Sequence, residues 1–382
     1  MLKVLYLINS PVPYGANVAL YKTLEGLISK GIKPVVVMAR AGKVCEWFDK
    51  VQIEYSVIRN YHSIYPPTRR ILDYILYIPR LFRMILFNKL AEFRLEKLAL
   101  DFNPDIIHTN IGPVHIGLKV AKKLKIKHVW HIREYQDLDF GMHAFPTKVS
   151  FKRKLNDPAN HNIAITHDIY KYFNMSDRNS VVVYDGVLKK EQAQYIDQKK
   201  DYFLFVGRLE DAKGIRLLLE VFITFAQSNS RYKLFIAGTG QEYYSSLLKK
   251  MVEKSGLEDR IVFLGFRTDI CQLMAEATVL LVPSRSEGFG FITVEAMFNG
   301  CLVFGYNSGG TREILKDNFS ESLFSNKDEL LNLMKELTKN GIEYYHSRIM
   351  LAQKQAIDMY SEEHHVEAVY NYYNRILKES NN

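Results

Sequence analysis

The sequence predicts an α/β protein built from two similar domains, each a parallel β-sheet with helices on both faces. Three observations lead there. Short apolar, β-branched runs alternate with longer amphipathic stretches along almost the whole chain, the rhythm of strand–helix–strand units. A polar stretch at 188–200, LKKEQAQYIDQKK from 188 onward, breaks that rhythm near the middle. The 382 residues also suit two domains of roughly 100–200 residues each.

The elements follow in order. The run at 4–8 reads as a buried parallel strand, 17–30 as an amphipathic helix, and 34–38 as the next strand. Further short strands are expected at 106–107, 127–131, 163–165 and 181–184. After 188–200, the best candidate for a linker, strands return at 202–206, 234–237, 261–264, 279–282 and 302–305. Helices close the chain: Ser361 supplies an N-cap with Glu362 and Glu363 in the first turn, and 366–377 is amphipathic and rich in Tyr. The domains are therefore expected at 1–187 and 201–360.

Composition narrows the function. Apolar residues at 47% and charged residues at 24% exclude a disordered or collagen-like chain. The three cysteines, Cys45, Cys271 and Cys301, match no disulfide framework or zinc motif, and read as reduced thiols of a cytoplasmic protein. The net charge of +9 calls for an anionic partner: nucleic acid, phosphorylated small molecules or anionic lipid. The start lacks the basic head and cleavage site of a leader. The most apolar stretch, 71–90, contains Asp73, Pro79, Arg80, Arg83 and Lys89, too many interruptions for a membrane span.

Three glycine-bearing turns carry the chemistry. In 283–296, PSRSEGFGFITVEA, a strand passes through Glu287, Gly288, Phe289, Gly290 and Phe291 into a helix containing Thr293 and Glu295. Backbone N–H groups at a helix start form an anion site. Two carboxylates beside it would repel a phosphate but accept hydroxyl protons, so the ligand should carry both phosphates and hydroxyls. A capped helix start with two solvated glutamates is the plainer reading of this turn alone. In 206–214, VGRLEDAKG, Gly207, Arg208 and Lys213 follow a strand, and a guanidinium with an ammonium suits a diphosphate. The third turn, 307–313, again joins strand to helix through Gly309 and Gly310.

These residues resemble the retaining glycosyltransferases of family 4. Glu287 and Glu295 match that family's paired glutamates, Gly207-Arg208-Leu209 with Lys213-Gly214 its diphosphate motif, and Gly309-Gly310 with Glu313 its third turn. The resemblance implies the GT-B fold: two facing Rossmann-like domains with an interdomain cleft, and a C-terminal helix (about 362–382) returning to the N-terminal, acceptor-side domain. It implies a UDP- or GDP-sugar as donor substrate, bound by the second domain, and no cofactor. Glu295 would hold the ribose, Glu287 would face the transferred sugar, and N–H groups of 288–291 would meet sugar and phosphate oxygens. Arg208 and Lys213 would neutralise the leaving diphosphate where other glycosyltransferases use a metal. No metal-ligand spacing is present.

The first half matches the family less closely. Its first loop, Tyr14-Gly15-Ala16-Asn17, keeps one glycine and has Asn for the family's acid, so Gly15 retains its role. The segment Trp130-His131-Ile132-Arg133-Glu134 resembles the family's strand-end histidine, which would put His131 near the sugar; a satisfied core histidine is the alternative. Asp185-Gly186-Val187 reads as a hinge turn. Gly238-Thr239-Gly240 lacks the third glycine and the acid of a dinucleotide fingerprint. Base selection could involve Phe266-Arg267. The basic, aromatic stretch from Arg69 to Arg94 has no nucleic-acid motif around it, and is expected either to lie on an anionic membrane or to be a packed surface helix.

The expected function is sugar transfer with retention to a lipid-linked or saccharide acceptor, in surface polysaccharide or glycolipid assembly. The setting is the cytoplasm or the inner face of the membrane, with no nucleic-acid partner. A GT-B nucleotide-sugar epimerase and a non-catalytic sugar-nucleotide-binding protein are the competing readings.

Overall fold

The computed structural model describes every residue except Pro11, Pro13, Tyr14, Arg69 and 380–382. Tyr14 of the first loop and Arg69 of the basic stretch therefore lie outside the described residues. The chain divides into two compact units, 1–186 with 362–382, and 187–361.

In the first unit seven strands, β1 (Leu2–Leu7), β2 (Ile32–Met38), β3 (Glu54–Val57), β4 (Ile106–Thr109), β5 (Lys127–Ile132), β6 (Asn160–Ala164) and β7 (Ser180–Val182), form one sheet ordered β3-β2-β1-β4-β5-β6-β7. In the second, β8 (Lys200–Val206), β9 (Lys233–Ala237), β10 (Ile261–Gly265), β11 (Ala277–Val282), β12 (Leu302–Tyr306) and β13 (Leu323–Phe324) are ordered β10-β9-β8-β11-β12-β13. The strand pairs are parallel. Each sheet winds outward from its first strand in both directions, which places a switch point beside β1 and beside β8, where open α/β sheets bind ligands.

The strands form because their apolar runs are buried on both faces. Along β1, Val4 and Tyr6 join one core layer and Leu5 and Leu7 the other, as a period of two dictates. The first layer is completed by the closing helix Glu362–Lys378 through Val366, Val369, Tyr372, Tyr373 and Ile376. The other layer rests on Ala91, Leu95 and Ala99 of the long helix Tyr77–Phe102.

Sequence patterning misses β3 and β13. Both lie at sheet edges; β3 is the polar run EYSV with no fully buried residue, and β13 has two residues. Half-exposed edge strands need few apolar side chains, so the signal is weak. The 188–200 segment, expected as a linker, packs on the second unit. Its Gln194 N–H donates to Phe298 O (3.1 Å), and Lys199 Nζ donates to Ala275 O (2.6 Å) and Gly300 O (2.7 Å). Most polar side chains of the segment stay in water, as in a linker, while Gln194 and Lys199 tie it to the second unit.

The Arg69–Arg94 stretch forms a short helix, Ile71–Ile75, then enters Tyr77–Phe102. Pro79 lies in the first turn of the second helix, where its missing N–H costs nothing. One face, Met84, Asn88, Ala91, Leu95 and Ala99, is buried, while Ile78, Phe82 and Phe93 are each at least 65% exposed. Among the described residues no helix is long and apolar enough to cross a membrane.

Candidate functional site

The three predicted turns leave the C-terminal ends of β8, β11 and β12, the strands at and beside the switch point of the second sheet. They interlock through backbone. Gly214 has φ +71°, and a Cβ there would stand 2.2 Å from Pro283 O, so only glycine lets the first turn lie against the second. Gly310 donates its N–H to Glu287 O at 2.8 Å, and its Cβ would fall 1.9 Å from Phe289 O. Ser308 Oγ donates to Arg285 O at 2.7 Å. Gly290 caps the helix Phe291–Phe298. Thr293, fully buried in that helix, meets Thr311 of the third turn at 3.3 Å between hydroxyls, and Phe289 is buried edge-on against Phe291 and Tyr360.

An ion pair stands at this junction: Lys213 Nζ to Glu287 Oε1 at 2.6 Å, with side chains 25% and 18% exposed. The turns thus join Lys213, Glu287, Gly288, Phe289, Gly290 and Phe291 to a helix carrying Thr293 and the half-buried Glu295. Two predicted residues stand apart from that pair. Arg208, next to Gly207 at the end of β8, is 70% exposed and pairs with Glu210 at 2.9 Å. Arg267, beyond the edge strand β10, is exposed and bonds to Asp269 at 2.8 Å. A cation beside a carboxylate, at turns rich in backbone N–H groups, can neutralise phosphate while accepting hydroxyl protons.

The first unit has its own polar cluster. His131, at the end of β5, is 1% exposed; its Nδ1 accepts from the Arg133 guanidinium at 3.3 Å, and its Nε2 is a buried nitrogen without a protein partner. His365 stacks on it and His108 lies tilted beside it, and both likewise leave Nε2 unpartnered. Burial first, and the charge of Arg133 second, push the His131 and His108 pKa values well below the usual range, so these imidazoles are neutral. Arg133 is buried and bonds to both carboxylate oxygens of Asp185. Asp185, in the turn expected as a hinge and next to the 186/187 boundary between the two units, anchors the arginine that orients His131.

Sequence reading missed His108 and His365 and the pairing of Asp185 with Arg133, because these residues are distant in the chain. The only local signal was the polar string 131–134 at the end of an apolar strand. Beside it, Glu134 is 8% exposed, and burial raises its carboxyl to about 7.

Gly15 has φ +46° and starts the helix Ala16–Ser29. Asn17, where the resembling family has an acid, donates Nδ2 to Ser10 O (2.8 Å) and Val12 O (2.7 Å). A carboxylate has no proton for either bond, which accounts for Asn at this position.

Residues 188–355 match the family described as glycosyl transferases group 1. Over 262 residues, 63% of this chain and 70% of the relative, the sequence is 28% identical to an uncharacterized glycosyltransferase of Methanocaldococcus jannaschii. Over 135 residues, 35% of this chain and 38% of the relative, it is 30% identical to the lipopolysaccharide core biosynthesis mannosyltransferase of Rhizobium meliloti. Among solved structures, the Anabaena protein HepE in complex with UDP superposes with a TM-score of 0.79 at 19% identity, over 98% of this chain and 100% of that one. The solved structures share the GT-B fold with this chain, and its match to the glycosyl transferases group 1 family spans residues 188–355.

Proposed function

We propose that this chain is a glycosyltransferase that moves a sugar, with retention at the anomeric carbon, from a UDP- or GDP-sugar to an acceptor hydroxyl, in the assembly of a surface polysaccharide or glycolipid. The observation that carries this reading is the Lys213–Glu287 pair at 2.6 Å, held where three glycine-bearing turns meet at the switch point of the second sheet. The pair offers an ammonium to the diphosphate and a carboxylate to sugar hydroxyls. Arg208 is exposed enough to swing from Glu210 onto the same phosphates.

In the proposed step the bond from the anomeric carbon to the phosphate oxygen breaks, and the acceptor oxygen bonds to that carbon on the same face. The acceptor proton passes to the leaving phosphate. Lys213 and Arg208 stabilise the charge that develops there, which makes the reaction independent of a divalent metal. Glu295 holds the ribose, the N–H groups of 288–291 meet the phosphate, Thr293 fixes the helix that presents them, and Arg267 contributes to base selection. In the first unit His131 offers its unpartnered Nε2 to a hydroxyl, with Gly15 shaping the loop before it. The exposed apolar face of Tyr77–Phe102 rests reversibly on an anionic membrane surface, and the acceptor is a lipid-linked or free saccharide.

The test is incubation with labelled UDP- and GDP-sugars, with and without acceptor. Transfer to acceptor is expected from one donor, lowered about a hundredfold in Lys213→Ala, the scale of one lost preorganised donor. Donor turnover that ignores acceptor points to an epimerase, and normal transfer in both Lys213→Ala and Arg208→Ala removes the assignment.

A further inference from the structure

A cavity of about 750 Å³ lies within the first unit at the C-terminal ends of β1, β2 and β3. Its ionisable lining is Arg40 after β2, Arg59 and His62 after β3, and Arg80 and Arg83 on the helix Tyr77–Phe102; no Asp or Glu lines it. Arg80 and Arg83, in the stretch expected either on an anionic membrane or as a packed surface helix, thus border a concave volume that opens to solvent.

Among the described residues, one of these four arginines has a carboxylate partner, Arg80 with Asp73 at 2.6 Å. Arg59 and Arg83 are held by aromatic rings, and Arg40 is exposed. Arg59 lies 4.6 Å from the centroid of Phe87 and donates Nη2 to Tyr61 Oη at 2.8 Å, and Arg83 lies 5.3 Å from the Tyr61 ring. Tyr61 is held in turn by Asn88, which accepts from its N–H at 2.8 Å and donates to its carbonyl at 3.1 Å. The guanidinia of Arg59 and Arg83 are therefore positioned while their charge stays largely uncompensated. His62 adds Nε2, a buried nitrogen without a partner.

Four cations around a concave volume repel one another and concentrate a positive potential. The forked donors of Arg match the oxygens of a phosphate, and the volume is that of a small-ligand site rather than a polymer track. The same helix continues as an exposed apolar face, with Phe82 and Ile85 65% and 42% exposed on either side of Arg83.

We infer that this cavity binds a phosphate or diphosphate group on the acceptor. The inference rests on the glycosyl-transfer reading and adds the chemistry of the molecule being glycosylated. That phosphate belongs either to a soluble phosphorylated acceptor or to a lipid headgroup whose chain lies along the apolar face.

Inorganic pyrophosphate, titrated calorimetrically into the full chain carrying Lys213→Ala so that the donor diphosphate site does not contribute, tests the site. Losing two charged donors in the double variant Arg59→Gln, Arg83→Gln should weaken binding about a hundredfold. Arg70→Gln with Arg94→Gln removes the same charge outside the cavity and should leave binding within about twofold. Lys213→Ala should retain pyrophosphate binding while losing UDP or GDP binding, so failure of the donor site and failure of this one are read separately. Flotation with phosphatidylcholine vesicles containing phosphatidic acid, abolished by pyrophosphate, assigns the site to a lipid phosphate. Pyrophosphate binding that leaves flotation unchanged assigns it to a soluble acceptor. No saturable pyrophosphate binding, or equal weakening in the two double variants, overturns the inference.

Discussion

Replacing Glu134 with Gln should change the pH dependence of the first unit's stability by a predictable amount. Glu134 is 8% exposed, and its Oε1 accepts the Gly112 N–H at 2.9 Å. Burial raises its carboxyl to about 7, against the lowering effect of that hydrogen bond. An unfolded glutamate titrates near 4.5, so between about pH 4.5 and 7 the native state holds a proton that the unfolded state has lost. Stability therefore falls as pH rises through that window, the reverse of an ordinary salt-bridged carboxylate. At about 1.36 kcal/mol per pKa unit, the difference amounts to about 3 kcal/mol. Glutamine keeps the oxygen that accepts from Gly112 and never ionises.

The stability of the native protein relative to Glu134→Gln should therefore decline by about 3 kcal/mol between pH 4.5 and 8. Both tryptophans of the chain, Trp47 and Trp130, belong to the first unit, so urea unfolding followed by Trp emission reports that unit alone. A difference that stays constant across the range, or grows toward alkaline pH, would refute the argument that Glu134 is buried at the cost of its charge.

Three further outcomes are expected. Glu295→Ala should weaken binding of free UDP or GDP, whereas Glu287→Ala should spare the free nucleotide and impair the sugar donor; equal loss of free nucleotide in both would contradict the division of roles. Asn17→Asp should destabilise the first unit by about 2 kcal/mol or more, because a carboxylate would face the Ser10 and Val12 carbonyls at a site 7% exposed; an unchanged urea midpoint at neutral pH speaks against it. Excess EDTA should leave transfer intact, and activity abolished by chelation and restored by magnesium or manganese would show that Lys213 and Arg208 do not carry the leaving-group charge.

The sequence by itself determined the class of fold and the turns of the second unit. Apolar runs of β11 and β12 type are legible because a parallel strand buried on both faces must be apolar throughout. The glycines at 214, 290 and 310 are legible because these turns tolerate no Cβ or require a positive φ. Lys213 and Glu287 were likewise readable one at a time, as charged residues beside such turns. Their meeting at 2.6 Å was not, since 74 residues separate them.

Only the tertiary structure decided the rest. It brought Asp185 to Arg133 and so oriented His131, drew His365 into the same cluster from the closing helix, and gathered Arg40, Arg59, Arg80 and Arg83 around one cavity. It also bonded the polar 188–200 segment to the second unit. Periodicity reports which face of its own element a residue occupies, whereas a buried charge is defined by partners that the topology of the sheet supplies from elsewhere in the chain.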